Sequence, residues 1–280
     1  MITLDALNQA SEAEFVAALD GVFEHAPSIA ALTSRRRPFA TVAALHEALM
    51  QTVRGTPDAA VRAFLGGHPE LSADKLPAGL TAESQTEQGG LGMGTAAGAA
   101  ELPALNQAYR ERYGIPFIIC VARHTAEDVL RCLRNRLERD AADPVAAALQ
   151  EVGHITRLRL LLRVEGPGAP PVAGRLSCHV LDQTGGRPAA EIAVTLLQEG
   201  RTVVEAQTDR DGRIGSLLPS GPLRQGRYEL QFAAGAYFAA SGTVSFYDVI
   251  PVRFVIAAAE AHYHIPLLLA PFGYSTYRGS

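Results

Sequence analysis

Apolar residues follow two different periods along this chain, and the change falls near Val164. Upstream they recur at the i, i+3, i+4 spacing of amphipathic helices; downstream they alternate as in half-buried strands. Ser11 and Glu14 stand three apart ahead of "FVAALDGVF", the form of a capping box. Thr41 precedes "VAALHEALMQTV", and Thr125 with Asp128 opens "AEDVLRCLRNRLERD". Asp143 followed by Pro144 starts a further helix through "AAALQEVGHITRLRLLLRV". The upstream pattern predicts an all-α bundle of about seven or eight helices.

The segment "VEGPGAPPVAGR", Val164 to Arg175, holds three prolines and three glycines and predicts an extended, poorly packed connection. After it come "RLSCHVLD", "AVTLLQ", "TVVEAQT", "RYELQF", "TVSFY", "VRFVI" and "HYHIPLLL", divided by turn-forming runs such as "DRDGR". Short strands at such spacing predict a β-sandwich. The expected organisation is therefore a helical domain over 1–164, a linker over 165–174 and a sandwich over 175–280.

Composition narrows the chemistry. The 280 residues are 48% hydrophobic and 19% charged, as in globular proteins, with a formal net charge of −4. That balance argues against nucleic acid or an anionic membrane surface as partner. The three cysteines lack metal-type or redox-type spacing, and no long apolar run or basic leader is present. The expectation is a cytoplasmic protein that neither spans a membrane nor binds a metal.

Histidines and one arginine mark the C-terminal half. His179 shares a strand face with Ser177, Arg213 follows a "DRDG" turn, and His262 and His264 alternate onto one face of "AHYHIP". The ordered blocks "GRLSCHVLD", "GRPA", "TDRDGRI" and "HYHIPLLLAPFGYSTYRGS" resemble the 5-hydroxyisourate hydrolases, the transthyretin-related enzymes of urate breakdown. That resemblance implies a transthyretin-like sandwich assembling as a homotetramer, with His179, Arg213, His264 and Ser280 as catalytic positions and Tyr277 and Arg278 binding substrate. Histidine near neutrality can take a proton from water, and a guanidinium can hold an anionic substrate and its oxyanion. His179 and His264 are expected to serve as base and orienter, in either order. Cys178 and "FYDVIPVRF" depart from the family pattern, and Pro251 predicts a bulged or edge strand.

In the N-terminal half, His68 precedes Pro69 and is thereby pushed to a helix end or turn. "LTAESQTEQGG" follows, with Thr81 as a cap and Ser84, Glu87 and Gln88 on adjoining turns. "YRERYGIPFII" places a Gly-Pro loop before an apolar run, and the last helix offers Arg157 and Arg159. These segments, with "RRRPF" and "HPEL", resemble the decarboxylases of 2-oxo-4-hydroxy-4-carboxy-5-ureidoimidazoline (OHCU). That resemblance implies an all-helical, often dimeric domain, with His68 and Glu87 catalytic and Pro69, Ser84, Gln88, Phe117, Ile118 and Arg159 binding substrate. Arg157 is the alternative for the last role. His124 is expected on an exposed loop or cap, without a function.

OHCU is the product of 5-hydroxyisourate hydrolysis, so the two resemblances together imply one cofactor-independent bifunctional enzyme yielding (S)-allantoin. The competing expectations are a transthyretin-like ligand-binding protein, or a hydrolase alone, with a helical assembly domain. Either way the expected state is a homo-oligomer.

Overall fold

The computed structural model describes residues 1–72, 96–139, 143–219 and 221–279. They divide into two compact units, Met1–Ala122 with Ala126–Pro171, and Arg123–Thr125 with Val172–Ser280.

The first unit is helical: α1 (Leu4–Gln9), α2 (Glu12–Ala18), α3 (Pro27–Ser34), α4 (Val42–Arg54), α5 (Asp58–Gly66), α6 (Ala96–Tyr113), α7 (Ala126–Glu138) and α8 (Pro144–Leu161). The caps expected at Ser11, Thr41 and Asp143 form. Ser11 and Glu14 exchange both hydrogen bonds of a capping box, and Thr41 Oγ1 accepts from the Ala44 amide at 3.0 Å. Asp143 accepts from Ala146 at 2.8 Å, with Pro144 in the first turn of α8. Each cap satisfies an amide that the helix itself leaves unpaired. In α4 the apolar stripe of Val42, Leu45, Leu49 and Val53 is buried, and the unit closes around one core.

The connection behaves differently from its composition. Val164–Glu165 (β2) pairs in parallel with Ile2–Thr3 (β1). Pro167 and Gly168 then accept hydrogen bonds from the Val42 and Ala43 amides at 3.0 and 3.2 Å. Proline supplies no amide donor, but its carbonyl still accepts, so this stretch, though exposed, is tied to the start of α4 by two backbone hydrogen bonds.

The second unit is a sandwich of two sheets. One contains β3 (Arg175–Asp182), β4 (Arg187–Pro188), β7 (Arg213–Ile214), β10 (His262–Ala270) and β11 (Gly273–Thr276), with β3 central between β10 and the two short strands. The other runs β6 (Arg201–Gln207), β5 (Ala193–Gln198), β8 (Gly226–Phe232), β9 (Ile250–Ile256). Pro251 lies on the edge strand β9, where its missing amide costs no ladder bond. "TVSFY" forms no strand. A short helix, α9 (Ala234–Ala240), precedes it, with Ala234 and Phe238 turned into the core at i, i+4 spacing. Val244 and Phe246 stay exposed, so their alternation has no second layer to pack against.

His124 is buried, contrary to expectation.

Candidate active sites

In the helical unit, α5 ends at Gly66 and delivers His68 at the turn that Pro69 requires. His68 Nδ1 lies 3.1 Å from the Phe64 carbonyl, which can only accept. The proton therefore sits on Nδ1, and Nε2 is the basic nitrogen of the neutral ring. The Phe64 ring meets the imidazole edge-on at 4.9 Å. Helix α6 fastens the following residues: Arg110 Nε donates to Glu70 at 2.7 Å and Asn106 Nδ2 to the Leu71 carbonyl at 2.9 Å.

The opposite wall is the buried segment from Phe117 to Val121. Arg136 donates to the Ile118 carbonyl at 3.2 Å and lies over the Phe117 ring at 5.0 Å. Its ion-pair partner Glu151, 3.2 Å away, accepts from the Cys120 amide at 3.0 Å. His68, Pro69, Phe117, Ile118 and Arg159 consequently line one pocket. Arg157 lines a different cleft, against His154, with His46 and Met50 nearby.

Arg159 has a partner that the sequence did not single out. Its Nη1 donates to Glu24 at 3.0 Å and to the Gly21 carbonyl at 3.3 Å, and both side chains of the ion pair are buried. Glu24 lies in "GVFEHAP", between helices, where no periodicity marks an inward-facing residue. Burial holds the His68 pKa below its ordinary value, with nearby Glu24 opposing that shift and Arg159 reinforcing it. Ser84, Glu87 and Gln88 lie outside the described residues, as does Thr81.

In the sandwich, strand alternation divides β3 sharply. Leu176, Cys178 and Val180 enter the core, while Ser177 and His179 take the other face. The parallel register sets His264 opposite Ser177 and His262 opposite Arg175; the antiparallel register sets Arg213 opposite His179. Directly opposed residues share a sheet face, so His179, Arg213, His262, His264 and Ser177 assemble on one surface. Ser177 Oγ sits 2.8 Å from His262 Nε2 and 2.9 Å from His264 Nδ1. A hydroxyl has one proton and two lone pairs, so it donates to at most one imidazole and accepts from at least one. The alternation of β3 puts Ser177 on the His179 face; its contact with both histidines of β10 comes from the parallel pairing of β3 with β10.

Both candidate catalytic histidines here are held below the ordinary histidine pKa. For His179 burial is the first cause and Arg213 the second; for His264 burial again leads, followed by His262 and Arg213. His179 Nε2 is buried with no hydrogen-bond partner among the described residues. The tail returns to this strand: the Gly279 amide donates to the His264 carbonyl at 2.9 Å, whereas the Arg278 guanidinium lies 4.7 Å from the ring centroid of Tyr263, which alternates onto the core face opposite Leu176. Tyr277 is exposed, and Ser280 lies outside the described residues.

The OHCU decarboxylase model matches residues 8–161, and the HIUase/Transthyretin family model matches residues 176–279. 5-Hydroxyisourate hydrolase 2 of Rhizobium meliloti is 44% identical over 117 residues, which are 39% of this chain and 98% of that protein. The chain belongs to both families. The 5-hydroxyisourate hydrolase of Mesorhizobium japonicum is 47% identical over 116 residues, covering 38% of this chain and 93% of that one. A crystal structure of (S)-allantoin synthase aligns over 100% of both chains with 30% identity and a TM-score of 0.56. In this member of the two families, the matched segments are the ones that carry the two histidine sites.

Proposed function

We propose that this chain carries out two consecutive steps of urate breakdown. It is a bifunctional enzyme: the C-terminal unit hydrolyses 5-hydroxyisourate to OHCU, and the N-terminal unit decarboxylates OHCU to (S)-allantoin. The observation that carries this reading is the presence of both families in one chain, at 8–161 and 176–279, since the product of one reaction is the substrate of the other.

In the hydrolase site, neutral histidine is the form able to take a proton from water, and burial favours it at both His179 and His264. One acts as base and the other orients; Ser177 sets the hydrogen bonding of His264. Arg213 clamps the anionic substrate and the oxyanion formed as water adds to the ring carbonyl. Tyr277, Arg278 and Ser280 complete the site from the tail.

In the decarboxylase site, loss of carbon dioxide leaves a carbanion delocalised into the imidazoline C=N bond of the substrate, so the reaction needs no separate electron sink. His68 handles the proton through Nε2, with Glu87 beside it, and Arg159 grips an anionic or carbonyl group. Pro69, Ser84, Gln88, Phe117 and Ile118 shape the pocket. One-sided protonation gives the single enantiomer.

The working state is a cytoplasmic homo-oligomer, with a tetrameric sandwich and a dimeric helical unit. The exposed rings of Phe246 and Phe272 offer apolar surface for such contacts. The described helices contain none long and apolar enough to cross a membrane.

Generating 5-hydroxyisourate in place with urate oxidase tests the reading. Rapid ultraviolet decay of both intermediates, with growth of a circular dichroism signal, is expected. Accumulation of OHCU that decays slowly to racemic allantoin overturns the decarboxylase half; bound ligand without turnover overturns both halves.

A further inference from the structure

Arg159, on the wall of the helical unit's pocket, is held by a buried carboxylate, Glu24, that neither family resemblance assigned. Glu24 is reached through a short irregular segment after α2, in which Gly21 and His25 both take positive φ values, 77° and 49°. A non-glycine residue in that region is uncommon and is retained where surrounding structure enforces it. Pro27 starts α3 directly afterwards. The segment presents two acceptors to one guanidinium: the Glu24 carboxylate and the Gly21 carbonyl, both on Arg159 Nη1. Glu24 and Arg159 side chains are only 2% and 5% exposed, so the ion pair between them offsets part of the cost of burying each charge.

We propose that Glu24 is a positioning residue of the decarboxylase site, fixing the Arg159 guanidinium at the pocket wall it shares with His68. This rests on the function proposed above. Two bonds to a single nitrogen set the plane of the guanidinium, which is the geometric requirement for gripping a carboxylate or carbonyl group. Lysine could not replace it, because a point charge carries no such plane. Glu24 also lies within electrostatic reach of His68, as does Arg159, so the carboxylate offsets part of the pressure that burial and the guanidinium put on the imidazolium.

Steady-state kinetics of OHCU decarboxylation by full-length Glu24→Gln, Arg159→Gln and the double variant provide the test, with hydrolysis of 5-hydroxyisourate as internal control. Glu24→Gln should raise KM roughly 10-fold or more, with a smaller effect on kcat, while hydrolysis is unchanged. The acid limb of kcat/KM should move to lower pH, because the carboxylate that favours the His68 imidazolium is gone. Since Glu24 acts through Arg159, adding Glu24→Gln to Arg159→Gln should cost little more than Arg159→Gln alone. Glu24→Asp should recover part of the loss. The double variant is neutral as a pair and guards against misfolding from an orphaned charge. Losses that multiply in the double variant overturn the proposal, as does unaltered KM in a folded Glu24→Gln protein. If His68→Ala also leaves decarboxylation intact, the failure belongs to the functional reading, not to Glu24.

Discussion

The hydroxyl of Ser177 lies 2.9 Å from Nδ1 of His264 on the neighbouring parallel strand. The same oxygen reaches His262, so one serine fixes two imidazoles whose only covalent link is a strand backbone. Ser177→Ala removes both bonds without altering the core face of β3. We expect kcat/KM for hydrolysis to fall roughly 10-fold, the scale of one lost net hydrogen bond. OHCU decarboxylation in the same variant should be unaffected. Unchanged hydrolysis would show that His264 is oriented by other groups.

Hydrolysis should persist into mildly acidic solution. His179 and His264 are both shifted below 6.5, chiefly by burial, so their neutral forms survive where an exposed histidine is already half charged. With neutral histidine as base, the acid limb of kcat/KM has its midpoint below 6.5. The stability consequence has the matching sign. The folded pKa values are depressed, the unfolded chain binds more protons below 6.5, and the contribution is full above that pH and declines as pH falls. A kinetic midpoint above 7 would contradict both statements.

The two arginines of α8 should separate cleanly in the other reaction. Arg159 shares a pocket with His68, whereas Arg157 faces His154 in another cleft. Arg159→Gln is expected to lower decarboxylation by about 100-fold or more, since a buried charge-assisted contact to substrate is lost. Arg157→Gln should change it by less than about 3-fold, since Arg157 lines a cleft separate from that of His68. Equal losses in the two variants would remove the distinction on which the pocket assignment depends.

Sequence periodicity made the elements of both units readable because caps and alternation are local. Ser11, Thr41 and Asp143 sit within a few residues of the amides they cap, and β3 declares its two faces by alternation alone. What escaped was set by distant partners. Glu24 acquires meaning only from Arg159, and Val164 to Gly168 from α4 and β1, since a carbonyl accepts a bond whatever its composition suggests. "TVSFY" alternates like a strand, but Val244 and Phe246 stay exposed, with no second layer to pack against. His264 is legible as a residue type; its hydrogen-bond partner Ser177 is legible only as a face-mate of His179.

The penultimate glycine gives a steric test of the tail. Gly279 donates its amide to the His264 carbonyl, and a Cβ built on it would come within 2.5 Å of His264 Cδ2 and 3.2 Å of its Cβ. No positive φ is involved, so the requirement for glycine here is close approach to the imidazole. In Gly279→Ala either the tail lifts or the ring turns away from Ser177. Both outcomes should depress hydrolysis by roughly 10-fold or more, because about an ångström of misplacement in a catalytic group is costly. Gly273→Ala is the control: its added Cβ meets nothing within 4 Å, and hydrolysis should be near the parent value. Deleting Tyr277 to Ser280 should reproduce or exceed the Gly279→Ala loss. If Gly279→Ala and the deletion both hydrolyse 5-hydroxyisourate at the parental rate, the tail is not part of the site.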